Sequence, residues 1–464
     1  MNPELQFSPE RMREIGYRVI DRIVNHLSTL SSQPVGSKGD PAVLIPAFQE
    51  PAPEEPADFD TVLAQVEEQI LRYTMHVNHP RFLAYVPGPS NFVSVLADTL
   101  ASGYNVFGGT WISGSGAAAV ELAVIDWLRE ACGMPEDTAG LFVSGGTMAN
   151  LTALAVARHV QLQDRLEGAT AYFSDQAHSS LEKALFLLGI PSANWRRLES
   201  DDNFRLPLNE LARSVAADRA AGYRPFCVIA NAGTTNTGAV DPLPQLSDYC
   251  KAERLWLHVD GAYGAATVLS ARGAQFLSGI ERADSLSLDP HKWLFQPFEI
   301  GCVLVRDGAK LQDTFRILPD YLKDTHQYSD EFNFTDYGLQ LTREFRALKL
   351  WMSIKVFGMA SFRAAIERGF RLAELAEARL RQMPGWEIVT PAHLAVVCFR
   401  FPAGDVAFHL KLVQMVLEDG FALITSTVLR GYTVLRVCTI NPRTTEADIE
   451  ATLERLDRLA KALS

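Results

Sequence analysis

None of the six cysteines stands in a C-x-x-C pair; Cys132, Cys227, Cys250, Cys302, Cys398 and Cys438 are scattered, several inside apolar runs such as 225–229. That excludes a zinc ribbon or a dense disulfide framework and predicts buried free thiols. The ten histidines form no H-E-x-x-H motif and no ligand cluster, so no metal site is expected. No run approaches 18 apolar residues, and the N-terminus lacks a basic stretch followed by an apolar core. Neither a membrane span nor a leader is expected, which points to the cytoplasm. Positive charge is also short: a net charge of −12 argues against nucleic acid or an anionic membrane as partner. Repeats and low-complexity tracts are missing too.

What is present reads as a globular chain of 464 residues, 47% hydrophobic and 21% charged, long enough for two or three domains. Ser8-Pro9-Glu10 is a helix start, with Met12, Ile15, Val19, Ile23 and Leu27 forming one apolar stripe behind it. Residues 33–58 carry eight prolines and glycines and are expected to be an extended connector without packed secondary structure. A second amphipathic helix follows at 61–73. Neither helix can bury its stripe alone, so each must dock on the main body or on another subunit.

From about residue 80 the texture is α/β. Strands are predicted at 140–143, 171–173, 226–230, 255–259, 285–288 and 301–305, with helices at 148–160 and 179–188. Such alternation predicts a mostly parallel, doubly wound sheet, whose ligand lies beyond the carboxyl ends of the strands. A long helix from 343 to about 383, interrupted near Gly358, leads to strands at 386–389, 395–401 and 434–438 and helices at 406–418 and 446–460. The expected organisation is an N-terminal helical segment (1–79), a large domain (80–357) and a small C-terminal α+β domain (358–464).

Four strand-end loops and one lysine carry the chemistry. Gly145, Gly146 and Thr147, in Ser144-Gly-Gly-Thr before a helix, form an anion cradle of backbone N–H groups. His178 follows the second strand, where its ring either stacks on a flat ligand or caps the next helix. Thr235 lies in the glycine- and threonine-rich turn after the 226–230 strand. Asp260 ends an apolar strand, where an unpaired carboxylate is expensive and a cation is needed, and Ala262 leaves room for a planar ring. Lys292 sits in Asp289-Pro-His-Lys-Trp-Leu-Phe; a lysine among apolar side chains becomes an amine nucleophile competent for a Schiff base. A phosphate cradle, a stacking imidazole, an acid for a pyridinium nitrogen and a Schiff-base lysine are the requirements of pyridoxal phosphate (PLP).

At seven segments the sequence resembles the fold-type I, group II PLP decarboxylases, which include the aromatic-L-amino-acid decarboxylases. These are HPRFLAYVPGPS (79–90), SGGTMANL (144–151), SDQAHSSLEKA (174–184), AGTTNTGAVDPL (232–243), LHVDGAYG (257–264), DPHKWLF (289–295) and LTREFRALKLW (341–351). The resemblance spans nearly the whole chain. It implies a Schiff base at Lys292, Asp260 at the pyridinium nitrogen, His178 stacked on the ring, and phosphate held by Gly146 and Thr147 with His291 nearby. Thr235 and Ala262 would line the ring. It also implies an intertwined homodimer, and decarboxylation of an L-amino acid through an external aldimine and a quinonoid.

The family uses a loop tyrosine to protonate the carbon and give an amine. Counted without gaps from FRALK, that position is Phe334; a shift of three makes it Tyr337, and Tyr328 is close. Phenylalanine there goes with an oxygen-dependent aldehyde synthase in related enzymes, so both products are carried forward. For the substrate pocket, the matching positions are Tyr85, Val86, Pro87, Gly88, Phe107 and Gly109. Val86, Gly88 and Gly109 are smaller than the family's usual residues, whereas Phe107 adds bulk, which predicts a reshaped pocket for an aromatic or other apolar side chain; no basic cluster is present to hold an acidic one, which disfavours glutamate.

Overall fold

The structure, a computed structural model, describes residues 5–163, 165–317 and 331–463; Tyr328 lies outside them. Its larger sheet contains β1 (Ala139–Val143), β2 (Ala169–Ser174), β3 (Trp195–Leu198), β4 (Arg224–Asn231), β5 (Trp256–Asp260), β6 (Ser285–Leu288) and β7 (Gly301–Val305), in the order β1-β7-β6-β5-β4-β2-β3. β2, β3, β4, β5 and β6 pair in parallel, whereas β7 runs antiparallel to both β6 and β1. β2 and β5 are buried along their whole length, as strands covered by helices on both faces must be. The covering helices include Gly146–Leu162, Ser179–Leu187, Leu208–Ala220 and Leu243–Glu253. This is the mostly parallel α/β sheet that the alternation predicts.

The second sheet is antiparallel: β8 (Glu387–His393), β9 (Val396–Arg400), β10 (Thr425–Leu429) and β11 (Tyr432–Cys438), in the order β10-β11-β9-β8. Leu429 pairs with Tyr432 across Arg430 and Gly431, both at positive φ (50° and 80°), a two-residue hairpin turn. Helices Val406–Asp419 and Glu446–Leu463 and the second half of Ala347–Gln382 close a small core around Leu380, Phe399, Leu412, Leu435 and Leu453. Gly358, at φ 73° and ψ 149°, breaks the 347–382 helix where the sequence places the interruption. Leu83 joins this second core, and its backbone bonds to Leu423 and Cys438.

Several elements differ from expectation. The 33–58 connector contains a helix, Pro41–Phe48, because Asp40 caps it by accepting from Ala42 N–H and Pro41 occupies the first turn, where a missing N–H costs nothing. β3 and β10, and helices Phe92–Gly103 and Trp111–Ala131, were not foreseen. The first helix, Pro9–Thr29, starts as predicted with Ser8 Oγ accepting from Arg11 N–H, yet none of its residues is buried within the chain. All six cysteines are buried and unpaired, as expected. Among the described residues no helix is long and apolar enough to cross a membrane.

Candidate active site

A cavity of about 340 Å³ opens at the carboxyl ends of β1, β2, β4, β5 and β6. It brings together all nine residues that the sequence assigns to cofactor binding: Gly145, Gly146, Thr147, His178, Thr235, Asp260, Ala262, His291 and Lys292. Each lies within a few residues of a strand end, which is why positions spread over 148 residues of chain meet here.

After β1 the chain turns at Gly145 into the 146–162 helix, which has no side-chain cap. Its first N–H groups are therefore available to an anion, reinforced by the helix dipole. Glycine is required at 146: a Cβ would lie 2.8 Å from Ala262 Cβ and 3.0 Å from Asp289 Oδ2. After β2, His178 satisfies both roles considered for it. Its ring lines the cavity, and its side chain caps the Ser179–Leu187 helix by accepting from Ser180 N–H at Nδ1, 3.2 Å. Burial lowers its pKa below the ordinary imidazole value, opposed by the nearby Asp260 charge.

Asp260 is buried at the end of β5. Its carboxylate accepts from Ala262 N–H (3.1 Å), Ser287 Oγ (3.0 Å) and Asn150 Nδ2 (3.0 Å), all neutral donors. A cation in the cavity would complete it. Lys292 departs from its expected apolar setting. Trp293, Leu294 and Phe295 are buried in the core behind it, while Nζ is 2.9 Å from Asp289 Oδ2. The charge of an acid three residues back, not an apolar wall, is what Nζ meets. His291 Nδ1 donates to Ile300 O at 2.7 Å, and burial pushes its pKa down.

Asn150, Ser180, Asn231, Tyr263 and Asp289 also line the cavity and were not named as site residues. Asn150 falls four residues after Gly146, hence on the same helix face, a signal available in the sequence.

The residues matched to a substrate pocket are not in this cavity lining. Tyr85 is exposed, and its carbonyl accepts from Arg436 Nη1 at 2.6 Å. Val86 is half-buried and Pro87 buried beside it. A Cβ on Gly88 would meet the Phe298 ring at 2.6 Å and His291 O at 3.0 Å. A Cβ on Gly109 would meet the Phe107 ring at 2.5 Å. The space beside both glycines is filled by phenylalanine rings. Phe334 and Tyr337 do not line the cavity either. Phe334 is fully buried against Phe332, with the Arg343 guanidinium 4.7 Å from its ring centre, and Tyr337 stacks on Phe332 at 4.3 Å.

An uncapped helix start fits a phosphate, a buried carboxylate held only by neutral donors fits a protonated ring nitrogen, and a lysine opens onto the same space. The fold and this cavity define a PLP enzyme of fold type I. The pyridoxal-dependent decarboxylase conserved domain matches residues 41–402. The chain is 47% identical over 472 residues to an aromatic-L-amino-acid decarboxylase of Bacillus atrophaeus, covering 100% of this chain and 98% of the relative. Among solved structures it is similar to Oryza sativa TDC with PLP and tryptamine (TM-score 0.93, 27% identity, 98% and 99% of the two chains). It is also similar to Rhodiola rosea 4-hydroxyphenylacetaldehyde synthase (TM-score 0.91, 27% identity, 98% and 99% of the chains). The chain belongs to the pyridoxal-dependent decarboxylase family and is a PLP-dependent carboxy-lyase.

Proposed function

We propose that this carboxy-lyase acts on aromatic L-amino acids and releases the corresponding amine. The observation that carries the reading is the meeting of Lys292, Asp260 and His178 in one cavity with the uncapped 145–147 turn. When bound, PLP supplies an electron sink for the pair left behind by the departing carboxylate. Lys292 holds the cofactor through its amine. Asp260, restrained by three donors, keeps a proton on the ring nitrogen. The 145–147 turn and His291 hold the phosphate, and Thr235 and Ala262 flank the ring. His178 would pack on the ring in its neutral form, and its remaining N–H and the Lys292 amine are proton donors that line the cavity. The ring of Phe298 lies 5.1 Å from that of His291, which lines the cavity, and the 47% identical relative is named for aromatic substrates.

A second reading, oxygen-dependent aldehyde formation, is favoured by Phe334 at the family's tyrosine position, since that ring has no proton to give. One experiment separates the two. The protein with PLP is incubated under air with a panel of L-amino acids, and CO₂, amine, aldehyde and peroxide are measured together. Amine without peroxide is expected from aromatic substrates; aldehyde and peroxide in equal amounts would replace the first reading by the second. Lys292→Ala should abolish both products.

The same proposal takes in the setting. The exposed apolar residues of the 9–29 helix, including Met12, Tyr17 and Val24, support a homodimer that covers them. Six unpaired thiols support a reducing compartment, the cytoplasm. We divide the chain at 1–79, 80–357 and 358–464.

A further inference from the structure

Behind the cavity the sheet carries polar side chains where packing alone calls for apolar ones. Trp256, His258 and Asp260 alternate along β5, and Ser285 and Ser287 along β6, so each set lies on one face. The parallel register sets His258 opposite Ser285 and Asp260 opposite Ser287. All five are buried. Buried polar groups are costly unless every one finds a partner.

Asn150, on the helix above this face, completes the set. Its Nδ2 donates to Asp260 Oδ2 and to Ser180 Oγ, both at 3.0 Å, and its Oδ1 is 3.0 Å from His258 Nε2. His258 Nδ1 is 2.9 Å from Ser285 Oγ, which accepts from Trp256 Nε1 at 2.8 Å. On the other branch, Ser180 Oγ is 2.9 Å from His178 Nδ1.

The direction of every bond follows from the two ends. An indole N–H only donates and a carboxylate only accepts. Ser285 therefore gives its proton to His258 Nδ1, and His258, kept neutral by burial, carries its own proton on Nε2 and donates to Asn150 Oδ1. The amide NH₂ is then turned to Asp260 and Ser180. Ser180 Oγ donates onward to His178 Nδ1, beside the Ser180 backbone N–H that already holds the His178 proton on Nε2.

We infer that Asn150 is a positioning residue that fixes the carboxylate that meets the ring nitrogen and also turns the Ser180 hydroxyl toward the histidine that covers the ring. The inference rests on the reading that Asp260 and His178 hold PLP. It means that the ring's protonation is set by one amide, itself oriented by the Trp256–Ser285–His258 chain.

The test uses the intact protein. In ¹⁵N-histidine-labelled wild type, His258 and His178 should both show the Nε2–H tautomer; Nδ1–H at His258 overturns the inference, and this measurement needs no variant to fold. With PLP labelled at the ring nitrogen, Asn150→Ala should move that ¹⁵N signal toward the unprotonated pyridine and raise the PLP dissociation constant about tenfold, the loss expected for one hydrogen bond to a charged group. Ser180→Ala, which keeps the backbone N–H on His178 Nδ1, should leave both the His178 tautomer and the ring-nitrogen signal in place. Borohydride reduction of the wild-type complex, which fixes PLP to Lys292, checks the reading beneath. PLP fixed there with an unmoved ring-nitrogen signal in Asn150→Ala defeats the positioning role alone.

Discussion

Glu121 and Arg343 form an ion pair at 2.5 Å with both side chains 1% exposed. Arg343 also donates to Gly108 O (2.8 Å) and Phe142 O (2.9 Å), while Phe142 N–H donates to Glu121 at 2.9 Å. The pair thus pins the segment that carries Phe334 to β1 and to the Gly108 turn. Removing one partner strands a buried charge, so Glu121→Ala should cost about 3–5 kcal/mol in urea unfolding. The double variant Glu121→Leu with Arg343→Met should lose less than the single one. A smaller loss for Glu121→Ala alone would show that the pair is open to water.

The Phe334 ring is closed in by Phe332 and the Arg343 guanidinium. Adding a hydroxyl there should destabilise the protein by about 1–3 kcal/mol, as overpacking does. Phe334→Tyr should leave the ratio of amine to aldehyde unchanged, checked by product analysis under air. A change in that ratio would show that this ring reaches the reacting carbon, for example in the site of a second subunit.

At Gly146, a methyl group must push either Ala262 or Asp289 aside. Gly146→Ala should therefore weaken PLP binding by about tenfold or more, a cost near 1.4 kcal/mol or above. Melting of the apoprotein should fall as well, because the methyl has no room beside Ala262 Cβ. Titration of apoprotein with PLP, followed by fluorescence, checks both halves.

His258 should make folding stability depend on pH. Burial lowers its pKa to about 4 in the folded chain, from 6.5 ordinarily. Between those values the unfolded chain binds more protons, so this contribution is complete above pH 6.5 and is lost as pH falls toward 4. Its full size is at most roughly 3 kcal/mol. Comparing unfolding of wild type and His258→Gln across this range isolates it from Asp241, which burial raises to about 6 and which acts in the opposite sense. Identical pH profiles would show that His258 is hydrated.

The parts of this protein that were legible in the sequence are those written in local chemistry. Strand ends followed by glycine, histidine or acid gave the site, because a parallel sheet gathers such ends at one edge. β3 and β10 escaped because Trp195–Leu198 and Thr425–Leu429 are short, half-exposed strands without strict alternation. Pro41 lies in a proline-rich stretch that reads as extended, yet one residue after Asp40 it opens a helix. Asn150 and His258 were within reach, since periods of four and two align them with Gly146 and Asp260. The surroundings of Phe334 were not: they are made by Phe332 and by Arg343, which is held by Glu121 222 positions away.

The reversed direction of β7 has a kinetic consequence. β7 is hydrogen-bonded to β6, its near neighbour in sequence, and also to β1, with Ala139 opposite Val305. The cradle after β1 and the lysine after β6 come together only when this long-range pairing closes. Contacts between distant parts of a chain form late, because the closure entropy must be met first. Cofactor capture during refolding should therefore lag behind helix formation, and the appearance of bound PLP would time the moment at which the large sheet is complete.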